Sequence, residues 1–246
     1  MAPWPPDGTW LAYCGSPPIP GGAVWNWDPW LLLALLAGLA LALPRAADRR
    51  TLTAGWAVLA VVLVSPLCSL SVALFSARVG QHLLILLVAA PLLALGIAAP
   101  RRTATTGGIA ASAACFAVML WAWHLPGPYA ATFRGDVIYW AMHLSLLGAA
   151  FWLWRGLLLA AEARPEVVLP AGLATAAQMS ALGAFLTFAP RPIFAPHALT
   201  TLAWDLTPLE DQQLGGLLMW VPGGLAFAGV AVAALVLAMR RGRFAA

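Results

Sequence analysis

Lysine does not occur in this sequence; all thirteen basic residues are arginine. A lysine Schiff base to retinal or pyridoxal phosphate is therefore excluded. Charge of either sign is scarce. Only 9% of the 246 residues are charged and 62% are hydrophobic, against about 25% and about 45–50% in an ordinary soluble domain. The arginines fall in short clusters between apolar runs, so they carry topology information rather than a nucleic-acid footprint, and no nucleic-acid partner is expected. The three cysteines, Cys14, Cys68 and Cys115, form no CxxC pair, which removes a thioredoxin-like motif and a zinc knuckle. No P-loop, dinucleotide fingerprint, serine elbow or HxxxH zinc-protease motif occurs either. The first basic residue is Arg45, behind the first apolar run, so no cleaved signal peptide is expected.

What is abundant is apolar sequence in long runs. A membrane-crossing helix needs roughly 20 such residues to span about 30 Å, and seven segments qualify. They are Trp27–Leu43, Leu52–Leu67, Val79–Ala98, Gly107–His124, Val137–Ala160, Val167–Phe188 and Asp211–Met239. These runs are much longer than barrel strands, and an unpaired backbone is not tolerated in lipid, so the expected fold is all-α, a polytopic seven-helix bundle. Residues 1–26, rich in Pro, Gly and Trp, are expected as an extended outer arm, 27–239 as the transmembrane domain and 240–246 as a basic cytoplasmic tail.

Arginine should collect on the cytoplasmic side. Arg45, Arg49, Arg50, Arg101, Arg102, Arg155, Arg164, Arg240, Arg241 and Arg243 fall in one set of loops, and only Arg78, Arg134 and Arg191 in the other. With seven helices this puts the N-terminus outside and the C-terminus in the cytoplasm. Cys14 and Cys68 then share the oxidising side, where a disulfide would persist, although the sequence leaves open whether they meet. Trp25, Trp27, Trp30, Trp121, Trp123 and Trp204 fall near outer boundaries, where indole rings anchor at headgroup level.

The same topology gathers all four histidines into the outer half. His82 lies one turn inside the third segment, His124 ends the fourth, and His143 is roughly 13 Å into the fifth at 1.5 Å per residue. Ionisable residues within membrane helices face a bundle interior or a cavity, which makes each a functional candidate. The plainer alternative is a neutral imidazole bonded between helices. Imidazole also binds copper, zinc and iron, so His82, His124 and His143 are read together as a candidate metal site. His197, in a loop after Pro196, is expected to be an exposed surface histidine. In the last segment Gln212, Gly215, Gly216 and Met219 lie near one stripe, a polar head followed by a flat glycine face and a thioether. Met219 and Met142 are weighed as soft copper donors against simple packing, and Asp211 as either the cap of its own helix or a group orienting a histidine. Two histidines on separate helices also leave a haem-binding electron-transfer protein open, and a copper or small-solute transporter is a further alternative.

The residues resemble the CtaG family of bacterial cytochrome c oxidase assembly proteins. The likeness runs from Asp28-Pro29 through Gln81-His82 with Pro91-Leu92-Leu93 and Gly96, Trp123-His124-Leu125-Pro126 and His143. It ends at its most specific block, Asp211-Gln212-Gln213 through Gly216, Met219, Trp220 and Pro222. The resemblance implies a multi-pass inner-membrane factor, not an enzyme, that assists maturation of the oxidase's copper centres. Its implied partners are the oxidase subunits, a periplasmic copper chaperone and membrane lipid. Gln81, Asp211, Gln212 and Met142 would then support metal ligands at His82, His124, His143 and Met219. Two positions depart from the family pattern: Arg78-Val79 stands where members commonly carry His-Met, and Met142 where they carry Glu.

Overall fold

The computed structural model describes residues 12–98, 105–161 and 163–240. Residues 1–11 of the expected arm, Arg101, Arg102, and the tail beyond Arg240 with Arg241 and Arg243 lie outside them. Nine helices run through the described residues: α1 Pro29–Ala42, α2 Arg49–Val64, α3 Leu67–Ala73, α4 Phe75–Gly96, α5 Thr106–Trp123, α6 Pro126–Ala131, α7 Asp136–Ala160, α8 Pro165–Phe188 and α9 Pro208–Arg240. The all-α expectation holds, and each expected segment coincides with one of these pieces. Five of them, α4, α5, α7, α8 and α9, are long and apolar enough to cross a membrane. The pair α2 and α3 makes a sixth span if it is taken as one unit, bent by 49°. The bend falls at Ser65-Pro66, where Ser65 is extended and Pro66 has no N–H to continue the helix. Helix α1, prolonged by a turn over Leu43–Arg45, is a shorter apolar piece.

Helix α4 is the centre of the bundle and the most deeply buried of the five long helices. It packs on α2, α7 and α9, while α8 runs along α9 and also touches α5. A π-helical turn at Ile85–Ala89 interrupts it just before Pro91. There the Ala90 N–H bonds Ile85 C=O instead of Leu86 C=O, and Pro91 has no N–H to offer. Trp154 Nε1, from α7, donates to the Leu86 carbonyl at 2.7 Å and so restores the missing bond. Pro222 lies within a second such turn, Met219–Gly223, in α9. Close packing of α8 and α9 depends on Gly183 and Gly216: a Cβ on Gly216 would stand 2.7 Å from Gly183 O, so neither position admits a side chain without moving a helix. Gly215 faces α4 instead, where a Cβ would meet Phe75 at 2.5 Å. The expected glycine face thus serves two neighbours.

The two ends of the bundle are defined by contacts. At one end Asn26 N donates to Val64 O at 2.8 Å, Val24 N to Ser69 Oγ at 3.1 Å, and Trp204 Nε1 to Pro18 O at 3.0 Å, pinning the arm over α2, α3 and the loop before α9. A disulfide joins Cys14 to Cys68 there, and Cys115 is free. Trp204 is therefore a clasp on the arm, whereas Trp25, Trp27 and Trp30 are exposed as anchoring residues would be. At the opposite end Arg155 spans the carbonyls of Ala94, Ile97 and Ala98, satisfying the last turn of α4 with a cation.

Candidate functional site

Helix α4 begins at Phe75, four residues before the expected Val79, because a neighbour supplies its cap. The Asp211 carboxylate, fully buried on α9, accepts from Phe75 N at 2.6 Å, from Ser76 N at 3.1 Å and from the Ser76 hydroxyl. Neither role read for Asp211 from the sequence is the one observed: its own helix is capped by the Thr207–Glu210 capping box, and its carboxylate holds the start of α4. The longer α4 encloses Arg78, read from the sequence as an outer-loop arginine, and carries Gln81 and His82 on the following turns. His82 is thus seven residues inside its helix rather than one turn, and His143, seven residues into α7, lies roughly 10 Å from that helix's start.

His82 and His143 form a pair, with ring centroids 5.1 Å apart and edge to face. His143 Nδ1 lies 3.0 Å from the Tyr139 carbonyl, which can only accept, so Nδ1 carries the hydrogen and the neutral ring presents a lone pair at Nε2. Both Nε2 atoms are buried and without a hydrogen-bond partner. Among the described residues six buried side-chain N or O atoms are in that condition, and four of them belong to Arg78, Gln81, His82 and His143. Each such atom costs about 1–3 kcal/mol if nothing binds it, so their concentration in one region marks a place for a ligand or water.

The other two histidines belong to a separate cluster around Phe75. His124, at the end of α5, is bonded through Nδ1 to Leu120 O at 2.7 Å, and its ring lies 6.4 Å from that of Phe75. His197 is buried, not exposed as expected, because the loop before α9 folds it against Phe75 and Phe133. Its Nδ1 is 3.3 Å from Ala73 O and its Nε2 is 2.7 Å from Tyr129 Oη. The carbonyl must accept, so Nδ1 donates and the Tyr129 hydroxyl donates to Nε2. Burial, reinforced by the charge of Arg78, holds the His197 pKa down to about 3.

Arg78 stands between the two groups. Its guanidinium carbon lies 4.3 Å from the Phe133 ring centroid, 5.1 Å from Tyr129 and 5.8 Å from Tyr139. One nitrogen donates to Thr132 Oγ1 at 2.9 Å and lies 4.0 Å from Met142 Sδ. Among the described residues the ion pair found is Arg164 with Glu166, so aromatic faces take the place of a carboxylate at Arg78. Tyr129, Phe133 and Tyr139 were not singled out by sequence reasoning. Aromatic residues flanking the last outer turn of a helix that holds a buried histidine were the available signal.

The remaining expected residues are placed as follows. Gln212 accepts from Ile193 N at 2.8 Å and donates to Leu186 O at 3.2 Å, fastening the end of α8 to the loop that follows it. Gln81 donates to Val62 O at 3.3 Å. Met219 is buried at the start of the α9 π turn, eight residues past Asp211 and so roughly 12 Å from the capped start of α4, a depth close to that of His82. Among the described residues no group of three or more His, Cys, Asp or Glu side chains is arranged to hold a metal ion. The arrangement supplies two adjacent imidazole donors, not a three-histidine set.

A family model described as cytochrome c oxidase caa3 assembly factor matches residues 42–241. No curated protein and no solved structure matches the chain.

Proposed function

The chain belongs to the cytochrome c oxidase caa3 assembly factor family, and from that premise we propose that it serves the oxidase's copper centres by holding copper as cargo between His82 and His143. The observation that carries this reading is the pair of buried, unbonded Nε2 atoms on adjacent helices. Imidazole nitrogen suits copper, and a thioether suits its reduced state. Met219, at a similar depth on α9, is the proposed third donor. The guanidinium of Arg78 opposes any nearby cation, and a single charge minimises that cost, so the proposed cargo is Cu(I) rather than Cu(II).

In this reading the end of the bundle carrying the arm faces the outside of a bacterial cytoplasmic membrane. Arg45, Arg49, Arg50, Arg155 and Arg164 all belong to the opposite end, and the Cys14–Cys68 disulfide suits an oxidising compartment. The protein acts as an assembly factor, not an enzyme, receiving copper from a periplasmic chaperone and passing it to oxidase subunits within the lipid.

Copper analysis of the purified protein loaded with Cu(I) under reducing conditions tests the reading. Wild type should hold about one ion, with most of it lost in His82→Ala and in His143→Ala and most retained in His124→Ala. Equal copper in wild type and the His82→Ala/His143→Ala double variant, both folded, overturns it, as does a haem spectrum in the protein as isolated.

A further inference from the structure

The Cys14–Cys68 disulfide fastens the arm to the bundle, and its two sulfurs are not equivalent. Cys14 stands on the outer side of the link: it is 8% exposed, and Gly15 and Ser16 immediately after it lie in the open. Gly15 turns the chain there at a φ of 87°, its N–H returning to Ala12 O at 2.9 Å. Cys68 is on the inner side, 1% exposed in the first turn of α3. An incoming thiol reaches Cys14 first.

The polar groups around the link differ in the same sense. Asn26 Nδ2 lies 3.7 Å from Cys68 Sγ, and the Tyr139 hydroxyl lies 3.8 Å from Cys68 Sγ and 3.5 Å from Cys14 Sγ. A disulfide sulfur carries no hydrogen, so Asn26 and Tyr139 are the donors. Sulfur in a disulfide accepts weakly, whereas a thiolate accepts as an anion does. Tyr139 can serve either sulfur, but Asn26 serves Cys68, which therefore has two donors in place for a negative charge. A disulfide packed among apolar side chains offers a departing thiolate nothing and resists opening. The link also holds down Tyr13, whose ring lies 4.8 Å from that of Tyr139, and the Tyr139 ring lies 4.1 Å from that of His143.

We propose that Cys14–Cys68 is an exchange-active disulfide, opened by a dithiol protein at the outer face through attack on Cys14 Sγ, with Cys68 as the leaving thiolate. The partner's thiolate bonds to Cys14 Sγ as the Cys14–Cys68 bond breaks, and the electron pair goes to Cys68 Sγ, where Asn26 and Tyr139 donate to it. The partner's second thiol then displaces Cys14 from the mixed disulfide, so two electrons pass to this chain and the partner departs as a disulfide. Opening the link frees the arm around Tyr13 and uncovers Tyr139. The exchange is independent of the copper reading, since it uses none of the proposed copper donors.

The test treats the folded, full-length protein in detergent with glutathione, traps the products with N-ethylmaleimide and maps them by peptide mass. Glutathione should be found on Cys14 and maleimide on Cys68, in at least about tenfold excess over the reverse arrangement. Asn26→Asp keeps the acceptor for Asp28 N–H but replaces the donor at Cys68 with a negative charge, and should slow opening about fivefold or more. A variant that merely loosened the fold would open faster, so the sign separates the two effects. Dithiothreitol should complete the reduction and raise amide hydrogen exchange at residues 12–16. A link that stays closed to glutathione until the protein unfolds, glutathione found equally on both cysteines or chiefly on Cys68, Asn26→Asp opening as fast as wild type, or unchanged exchange at residues 12–16 after reduction overturns the proposal.

Discussion

Replacing Asp211 tests whether the position of the histidine pair depends on a cap supplied from another helix. In Asp211→Ala, Phe75 N, Ser76 N and the Ser76 hydroxyl lose their acceptor in a fully buried place. Hydrogen bonds to a charged group contribute about 1.5–3 kcal/mol each, and bonds that share one carboxylate do not add fully. Losing an N-cap alone costs up to about 2 kcal/mol. A total near 3 kcal/mol is the reasonable size, and at roughly 2–4 °C per kcal/mol for a chain of this length the unfolding midpoint should drop by roughly 6–12 °C. Asp211→Asn keeps one acceptor oxygen and should lose about half as much. The measurement is thermal unfolding in detergent, followed by tryptophan emission, with copper content determined on the same samples. Because α4 carries Arg78, Gln81 and His82, copper should fall with stability and in the same order among the variants. An unchanged midpoint in Asp211→Ala would refute the cap. Copper lost at an unchanged midpoint would return Asp211 to the role of orienting a metal ligand.

Two further predictions follow from the ends of the bundle. A reporter active only in the cytoplasm should work when fused after Arg240 and fail when fused before the arm, and the reverse pattern would invert the proposed outer face. His197 is held neutral by burial with a pKa of about 3, below the usual value near 6.5, so the unfolded chain binds the proton more readily. Its contribution is therefore complete above pH about 6.5 and is lost as pH falls towards 3, at about 1.4 kcal/mol per pH unit. His197→Gln can still donate to Ala73 and accept from Tyr129, so its midpoint should decline less steeply than wild type between pH 7 and pH 5; equal slopes would show that His197 is not the group responsible.

The helices were legible because lipid imposes a simple rule of length and apolarity, and each expected segment landed on a helix or a bent pair of them. The sharing of one end by the four histidines was legible for the same reason, since segment order alone fixes which end each residue approaches. Their division into two groups was not. It depends on which neighbours cover each ring, and the first turns of α4, which carry Phe75 and Arg78, begin where Asp211 caps them from 136 residues further along the chain. With α4 read as beginning at Val79, Arg78 becomes a loop residue and His82 lies too close to the surface. With it beginning at Phe75, Arg78 enters a cage of Tyr129, Phe133 and Tyr139, none of which is near it in sequence. His197 escaped for a similar reason, because its cover comes from Phe75 and Phe133 rather than from its own loop.

The same dependence links the proposed site to its specificity. Arg78 fills its aromatic cage beside His82 and His143, so the positive charge near the pair belongs to the fold. A divalent ion would feel about twice the repulsion of a monovalent one at the same distance. On the copper proposal, this charge would favour the singly charged ion in the same direction as the Met219 thioether. The charge is there because the helix start that Asp211 imposes on α4 brings Arg78 inside the bundle.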